Sequence, residues 1–316
     1  MATSTQLFPR NTAADAPVSR ESHITISFAP MPPFDFAHTL RFIGAFAPGE
    51  GEQQTTGDTL TRALRVNGQT VVCHVTGSGT PDAPAIACDL TAAAPLTAET
   101  VAAVRDRVGF WLSLNDDLRL LYEAAQTDAA FLPIIRQWYG YHQVKFLTPF
   151  ENACWAVLAT RAPLAASRAM KDRLVARYGD ALTVAGATHA AFPAPADLAS
   201  TTTADLVGIL HNARKADYLY AVIQAWQGVD ETWLRTGPYD DVERWLRGIR
   251  GIGAWSASFV LVRGLGRMER IAPEDALRRS LARVYGYTFS DAEFAAKAEQ
   301  YGDMQGYWAH YLRIAT

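Results

Sequence analysis

The chain reads Leu-Arg-Gly-Ile-Arg-Gly-Ile-Gly-Ala-Trp-Ser-Ala-Ser-Phe over residues 246–259. Gly251 and Gly253 bracket one apolar residue, and apolar side chains recur at helical spacing on both sides of them. Because glycine permits a turn that a Cβ atom would obstruct, the pattern predicts a helix, a tight hairpin and a second helix over 239–265. The unbonded amides that begin the second helix would face outward at a positive helix end, which suits a phosphate group.

A carboxylate follows the hairpin at the start of another predicted helix. Residues 273–279 read Pro-Glu-Asp-Ala-Leu-Arg-Arg, and Pro273 is well suited to open a helix whose first turn holds Asp275. An acid in that turn is stabilised in its ionised form by the helix dipole. An ordinary capping role is the simpler interpretation of Asp275 taken alone. Glu274 is predicted to point about 100° away around the helix, outside any site that Asp275 faces.

Composition limits the class of protein. The chain has 316 residues, of which 49% are hydrophobic, and this is enough for two domains. It has no apolar run long enough to span a membrane. Residues 1–22 are rich in Thr, Ala, Ser and Pro and are predicted to be a disordered tail, not a signal peptide. The three cysteines are predicted to be free thiols of a cytoplasmic protein; they are too few for a four-cysteine iron–sulfur cluster.

The charge distribution is more informative than the net charge of −3. Residues 244–283 hold nine arginines against Glu269, Glu274 and Asp275, a local surplus of six positive charges. Solvated helix faces are one interpretation. Beside a hairpin suited to phosphate, a basic face for nucleic acid is the preferred one.

The predicted fold class is α+β, with a small antiparallel β/α domain over 23–112 and an all-helical domain over 113–316. Asn67-Gly68 lies between two strand-like runs and predicts a two-residue hairpin turn. A helix is predicted to begin after Thr97, whose side chain could cap it. In the second domain, helical spacing predicts helices that include 164–178, 203–210 and 213–226, and the Gly- and Pro-containing segment 179–195 is predicted to be a loop.

The two motifs together, Leu-x-x-Ile-x-Gly-Ile-Gly-x-Trp-Ser-Ala followed by Pro-Glu-Asp-x-Leu, resemble those of the helix–hairpin–helix DNA glycosylases. The likeness is greatest to the branch of bacterial inducible 3-methyladenine DNA glycosylases. Thr148-Pro149-Phe150-Glu151 and Phe192-Pro193 are also similar to family segments, in the same order. The resemblance implies a monofunctional enzyme of base-excision repair. Such an enzyme flips a damaged base, chiefly an N-alkylated purine, out of duplex DNA. It then hydrolyses the N-glycosidic bond of that base and leaves an abasic site.

The resemblance also assigns the chemistry to particular residues. Cleavage of an N-glycosidic bond leaves positive charge on the sugar, which the Asp275 carboxylate would stabilise while it orients the attacking water. Bifunctional relatives carry a lysine where this chain has Trp255, so no Schiff base and no lyase activity at abasic sites are expected.

A base pocket is expected beside the hairpin. Trp255 and Phe259 lie four residues apart on one helical face, and Tyr307 and Trp308 near the C-terminus could complete an aromatic wall. Such a wall would favour electron-poor, positively charged alkylated purines. Ordinary core packing is the alternative for these side chains.

The remaining assignments concern DNA and a cation. A phosphate would bind the amides of Gly251, Gly253 and Ala254 and the Ser256 hydroxyl. A monovalent cation, Na⁺ or K⁺, is expected at three carbonyl oxygens, those of Arg247, Ile249 and Ile252; no other cofactor is expected. In Leu158-Ala159-Thr160-Arg161-Ala162-Pro163, Arg161 falls at the position of the wedge that fills the gap left by the flipped base, although an arginine facing solvent is equally compatible with the sequence.

The expected partner is double-stranded DNA containing damaged bases, bound by a monomer in the cytoplasm, associated with the nucleoid in a bacterium, and away from membranes. Two alternatives stay open. An oxidised-purine glycosylase is disfavoured because Trp255 replaces the lysine. A non-catalytic protein that binds damaged DNA on the same fold is disfavoured by Asp275.

Overall fold

A five-stranded antiparallel sheet forms the N-terminal part of the computed structural model, which describes residues 22–46, 49 and 51–315. In the spatial order β1-β5-β4-β3-β2, its strands are β1 (Ser22–Phe28), β2 (Gln53–Thr56), β3 (Thr59–Val66), β4 (Gln69–Thr80) and β5 (Ala83–Ala92). The predicted tail over residues 1–22 lies outside the described residues except for Ser22, which begins β1.

The connection between β3 and β4 confirms the predicted hairpin. Asn67 and Gly68 have φ values of 47° and 77°, as a type I′ turn requires at both central positions. The turn sets a register in which Leu64 lies opposite Val71, and both side chains are buried in the core of the sheet domain.

Two helices cover the sheet, α1 (Phe36–Ala45) and α2 (Ala98–Trp111). The Thr97 side chain accepts a hydrogen bond from the Thr100 amide, which confirms the predicted cap of α2. Val144 and Leu147 also enter this core from beyond the predicted domain boundary, so the two parts of the chain share packing.

The rest of the chain is mainly helical, as predicted. Its helices are α3 (Arg119–Ala125), α4 (Leu132–Gln137), α5 (Pro149–Ala159), α6 (Leu164–Tyr178), α7 (Thr203–Leu210), α8 (Ala213–Trp226), α9 (Glu231–Thr236), α10 (Tyr239–Gly248), α11 (Ala254–Phe259), α12 (Asp275–Tyr285), α13 (Asp291–Glu299) and α14 (Gln305–Ile314). A π-helical turn, Val260–Gly264, extends α11. Within the described ranges, no helix combines the length and apolarity needed to cross a bilayer.

An antiparallel pair of strands, β6 (Asp180–Val184) and β7 (Ala187–Ala191), interrupts the helices. The prediction of a loop over 179–195, and with it that of an all-helical second domain, is therefore wrong. Ala185 and Gly186 have φ values of 49° and 83° and form a two-residue turn. The apolar side chains of the pair pack against the first sheet, so a tertiary contact supports strands that have only weak alternation of their own.

A buried cluster of charged side chains ties the sheet to the helices. Arg62 of β3 and Lys171 of α6 each lie 2.7 Å from a carboxylate oxygen of Glu151 in α5, and Glu52 contacts both cations. Burial alone would raise the pKa of Glu151, but the positive charges of Arg62 and Lys171 outweigh burial and lower it to about 2. The cluster holds α5 and α6 in a fixed position against β3.

Candidate active site

The predicted helix–hairpin–helix is present, because α10 ends at Gly248 and α11 begins at Ala254. Gly251 has a φ of +95°, and a Cβ atom there would lie 2.4 Å from Cγ of Tyr218. Both the left-handed backbone and the close approach require glycine. A Cβ atom on Gly253 would meet nothing within 4 Å. The surface at Gly253 is thus open, whereas Gly251 is pressed against the protein.

The first amides of α11 are the groups predicted to bind phosphate. Gly253 and Ala254 are exposed, and amides in the first turn of a helix have no intrahelical acceptor. Ser256 does not fit its predicted role. It is 3% exposed, and its Oγ lies 3.3 Å from Oγ1 of Thr160, so the hydroxyl faces the end of α5 instead of the open surface.

The carbonyl groups predicted to hold a cation lie at the end of α10 and in the hairpin turn. The Ile249 oxygen accepts a hydrogen bond from the Ile252 amide at 3.0 Å, which leaves one of its two lone pairs for a further contact. Among the described residues, no group of His, Cys, Asp and Glu side chains is suited to a metal. Cation binding by the carbonyls of Arg247, Ile249 and Ile252 stays a prediction.

Trp255 and Phe259 form an aromatic stack beside the hairpin. Their ring centroids lie 5.3 Å apart and their planes differ by 10°. Trp255 is 46% exposed, which is unusual for so large an apolar side chain. Phe259 also packs against Phe146 in a T-shaped arrangement, with a centroid distance of 5.8 Å. The stack is therefore anchored at Phe259 and presents Trp255 to solvent.

A cavity of about 380 Å³ opens against this stack. Its size falls in the range of about 300–1,000 Å³ that is usual for small-molecule sites. It is lined by parts of α1, α11 with its extension, the segment before α12, and α14, namely Phe42, Phe46, Trp255, Ser258, Phe259, Val262, Arg263, Ile271, Glu274, His310, Arg313 and Ile314. A wider groove of about 600 Å³ lies between α1 and the sheet, away from the hairpin. The smaller cavity is the candidate site because it adjoins the stack and the hairpin.

Glu274 lines the cavity, which corrects the prediction that it points elsewhere. Its Oε2 accepts a hydrogen bond from Nε1 of Trp255 at 3.1 Å, and its Oε1 accepts one from Nη2 of Arg313 at 2.6 Å. The prediction fails because α12 begins only at Asp275, and Glu274 has an extended backbone with φ −86° and ψ 158°. Helical spacing therefore does not apply between the two acids.

Asp275 is the first residue of α12 and is exposed. In the described part of the chain, neither a hydrogen bond nor an ion pair engages its carboxylate. The two neighbouring acids therefore differ in their hydrogen-bond partners and in their position. Glu274 is held by two donors inside the cavity, whereas Asp275 stands outside it with both oxygens available.

Tyr307 and Trp308 do not line the cavity, contrary to their predicted role. They are 1% and 0% exposed and belong to the C-terminal core. The Tyr307 hydroxyl donates to Asp116, and the Trp308 indole nitrogen donates to Tyr285. Helix α14 presents its other side to the cavity, with His310, Arg313 and Ile314.

Arg263 brings a positive charge to the cavity that sequence reasoning missed. It is 8% exposed, and its Cζ lies 5.0 and 5.1 Å from the ring centroids of Phe42 and Phe46. Burial, together with the charge of Arg313, lowers the pKa of Arg263 to about 10, so it stays protonated at neutral pH. Burial also lowers the pKa of His310 well below its usual value, which leaves that ring uncharged. Arg263 lies four residues after Phe259, and this helical spacing is the feature of the sequence that could have identified it as a residue of the site.

Arg161 lies in the connection between α5 and α6, directly after the cap residue Thr160. It is exposed and has a φ of +52°, a backbone conformation that non-glycine residues seldom adopt. The segment before it is fixed, because Nζ of Lys215 donates to the carbonyl oxygens of Val157 and Thr160 at 2.6 and 2.5 Å. Thr160 in turn contacts Ser256 of α11. Arg161 therefore projects from a rigid position near the hairpin, and its role as wedge stays a prediction.

The arginines of residues 244–283 form a weaker basic face than the sequence suggests. Acids from outside that segment pair with many of them, as in Arg244–Asp241, Arg247–Glu243, Arg250–Asp217, Arg270–Asp240 and Arg278–Asp291. Exposed ion pairs of this kind are weak in water, so a phosphate could displace the acid at small cost.

No family model matches this chain. The DNA-3-methyladenine glycosylase of Bacillus subtilis (strain 168) is 31% identical over 157 residues, which cover 49% of this chain and 52% of the relative. The chain thus spans about half the length of the curated relative it matches.

Solved structures show the same fold over most of the chain. The 3-methyladenine DNA-glycosylase from Archaeoglobus fulgidus has a TM-score of 0.76 at 18% identity. The superposition covers 92% of this chain and 97% of that structure's chain. MBOgg1 in complex with a low-affinity DNA ligand has a TM-score of 0.68 at 14% identity. That superposition covers 93% of this chain and 97% of the MBOgg1 chain.

Proposed function

We propose that this protein, with the fold of the helix–hairpin–helix glycosylases, is a monofunctional DNA glycosylase of alkylation repair. It binds duplex DNA at the hairpin, takes a flipped alkylated purine into the cavity beside Trp255, and hydrolyses the N-glycosidic bond to leave an abasic site. The relative from Bacillus subtilis and the neighbour from Archaeoglobus fulgidus are both named for 3-methyladenine, and MBOgg1 was solved with DNA.

One observation carries the proposal: an exposed aromatic stack, a cavity and a free carboxylate lie around one hairpin. The outer face of Trp255 can stack on a flipped base, as base-flipping enzymes require. Gly253 and Ala254 offer exposed amides for the phosphate of the same strand. Asp275 begins the helix that follows Glu274, a lining residue of the cavity.

Asp275 is the residue that we assign to catalysis. With the base in the cavity, its sugar stays at the mouth, where an exposed carboxylate can face the carbon that carries the base. As the carbon–nitrogen bond breaks, its electron pair leaves with the base and positive charge develops on the sugar, which the ionised Asp275 stabilises. Water then adds to that carbon and releases a proton to the solvent. An uncharged base takes up one proton as it leaves, whereas a cationic base leaves as a neutral molecule without one.

The proposal excludes a covalent amine intermediate. Trp255 has no nucleophilic amine, and the sequence contains no lysine between Lys215 and Lys297. Lys215 itself is committed to two backbone carbonyls at the end of α5. A Schiff base with the sugar therefore has no donor at the hairpin.

The test is release of free bases from duplex DNA alkylated by a methylating agent or by chloroacetaldehyde, followed by chromatography. We expect modified purines in the soluble fraction and intact strands until alkali opens the abasic sites. Borohydride should trap no adduct. Duplex binding without base release from either DNA would contradict the assignment as an enzyme, and a trapped adduct in stoichiometric yield would contradict the monofunctional mechanism.

A further inference from the structure

We infer that Arg263 determines substrate choice: the cavity takes an uncharged alkylated purine that presents a hydrogen-bond acceptor to this guanidinium, in preference to a cationic one. The inference rests on the proposed glycosylase function and refines it. It also departs from the expectation that aromatic walls select positively charged purines.

Arg263 holds an unused hydrogen-bond donor at the cavity. Nη2 of Arg263 is buried and has no hydrogen-bond partner among the residues that the structure describes, although buried polar groups in proteins are nearly always bonded. Arg263 is 8% exposed and lines the cavity. Across the described ranges, no acid forms an ion pair with it. A ligand with an acceptor atom would supply the missing partner once the guanidinium turns Nη2 towards the cavity.

The charges that line the cavity do not balance. Glu274 is the acid that faces the cavity, and it is already shared by Arg313 and Trp255. His310 bonds to the Tyr141 hydroxyl and is uncharged at neutral pH. With Glu274 balanced by Arg313, the charge of Arg263 stays uncompensated. A cationic base in the cavity would therefore meet a fixed positive charge of the same sign.

The aromatic rings of the lining do not restore a preference for a cation. Phe42 and Phe46 could attract a cationic base through their faces, but the Arg263 guanidinium already lies over both. Stacking on Trp255 and Phe259 remains, and uncharged purines stack there as well. The number of aromatic rings at the site therefore gives no net preference for a cation.

The experiment compares two duplexes, one carrying 1,N6-ethenoadenine, which is uncharged and has acceptor nitrogens, and one carrying N7-methylguanine, which is cationic. Single-turnover excision rates are measured for the wild type and for Arg263→Met, and the effect of the substitution is expressed separately for each base. We expect the ratio of ethenoadenine to N7-methylguanine excision to fall by about tenfold or more, as for loss of a charge-assisted hydrogen bond.

Two further variants separate selection from folding. Arg267→Met removes a guanidinium that is also 8% exposed but pairs with Glu269 outside the cavity, so it should leave the ratio unchanged. Arg263→Lys keeps the charge and should retain most of the discrimination against the cation.

The outcomes are distinct. If Arg263→Met slows both substrates by one factor, or if the ratio changes equally in Arg267→Met, the inference is overturned while the glycosylase function stands. If Arg263→Met does not fold, Arg263→Lys and Arg263→Gln take its place. A wild-type excision ratio in Arg263→Lys together with a lower ratio in Arg263→Gln would support the inference. Equal ratios in these two variants would overturn it. If the wild type releases neither base, the inference is overturned, and base release from generally alkylated DNA decides separately whether the proposed function stands.

Discussion

The indole nitrogen of Trp255 donates a hydrogen bond to Oε2 of Glu274 at 3.1 Å. This contact joins the helix after the hairpin to the residue that precedes α12. Because the other oxygen of Glu274 accepts from Arg313 of α14, one carboxylate connects three helical segments around the cavity. It also fixes the plane of the Trp255 ring, which stacks on Phe259.

Glu274→Gln should weaken this arrangement without emptying the site. Glutamine keeps the shape but loses the charge that holds Arg313 and Trp255, so single-turnover excision should fall about tenfold through a misplaced stacking surface. Tryptophan fluorescence and base release would be measured together, with Glu269→Gln as a control outside the cavity. Unchanged excision alongside an altered spectrum would show that the orientation of Trp255 is unimportant.

The two hairpin glycines should respond in opposite ways to alanine. Gly251→Ala places a Cβ atom against Tyr218 in a left-handed backbone, so the folded state should lose at least about 1 kcal/mol. Gly253→Ala adds a Cβ atom in open space, so stability should be retained while affinity for all duplexes falls, damaged or not, because phosphate contacts carry no sequence information. Thermal unfolding and binding titrations separate the effects. A Gly253→Ala protein that loses affinity for damaged duplex alone would contradict the phosphate role.

Arg161→Ala tests the wedge. If the side chain fills the gap left by the flipped base, it offsets part of an unstacking cost of a few kcal/mol, and its removal should slow excision from paired duplex far more than from a mismatched site. Excision rates on the two duplexes provide the measurement. Equal losses on both, with a shallower salt dependence of binding, would instead indicate a phosphate contact.

Glu151→Gln should destabilise the junction of sheet and helices. It leaves Arg62 and Lys171 buried with an incomplete partner set, a loss of about 3–5 kcal/mol at neutral pH. The pKa of Glu151 is about 2 in the folded protein, below the ordinary value of about 4.3 in the unfolded chain. Its stabilising contribution is therefore full above about pH 4.3 and is lost as the pH falls towards 2.

Denaturant unfolding at several pH values checks this prediction, with Glu123→Gln as an exposed control. The difference between wild type and Glu151→Gln should shrink as the pH falls through that window. A difference that stays constant with pH would mean that shape, not charge, accounts for the effect.

The sequence predicts long, regular elements well because their periodicity is local. The bounds predicted for α6, α7 and α8 agree with the structure, and so does the Asn67-Gly68 turn. By contrast, α9 is only six residues long and has no repeating apolar pattern to detect. Strands β6 and β7 depend on contact with the first sheet, which no local pattern records.

The site divides in the same way. Motif spacing is sufficient to bring Trp255, Phe259 and the hairpin together, since all lie within one short segment. Helical spacing cannot tell which side of α14 faces the core, so Tyr307 and Trp308 are buried and His310 lines the cavity instead. The position of Glu274 depends on where α12 begins, a boundary that sequence patterns fix only within a few residues.

The central claim is that Asp275 promotes cleavage of the N-glycosidic bond of a base held beside Trp255. The most direct measurement is the single-turnover rate of base release by Asp275→Asn, on whichever alkylated duplex the wild type cleaves, together with the affinity for that duplex. Because asparagine keeps the shape and removes the charge, we predict a fall of about 10²-fold or more with binding retained. Near-normal base release by a folded Asp275→Asn protein would contradict the account.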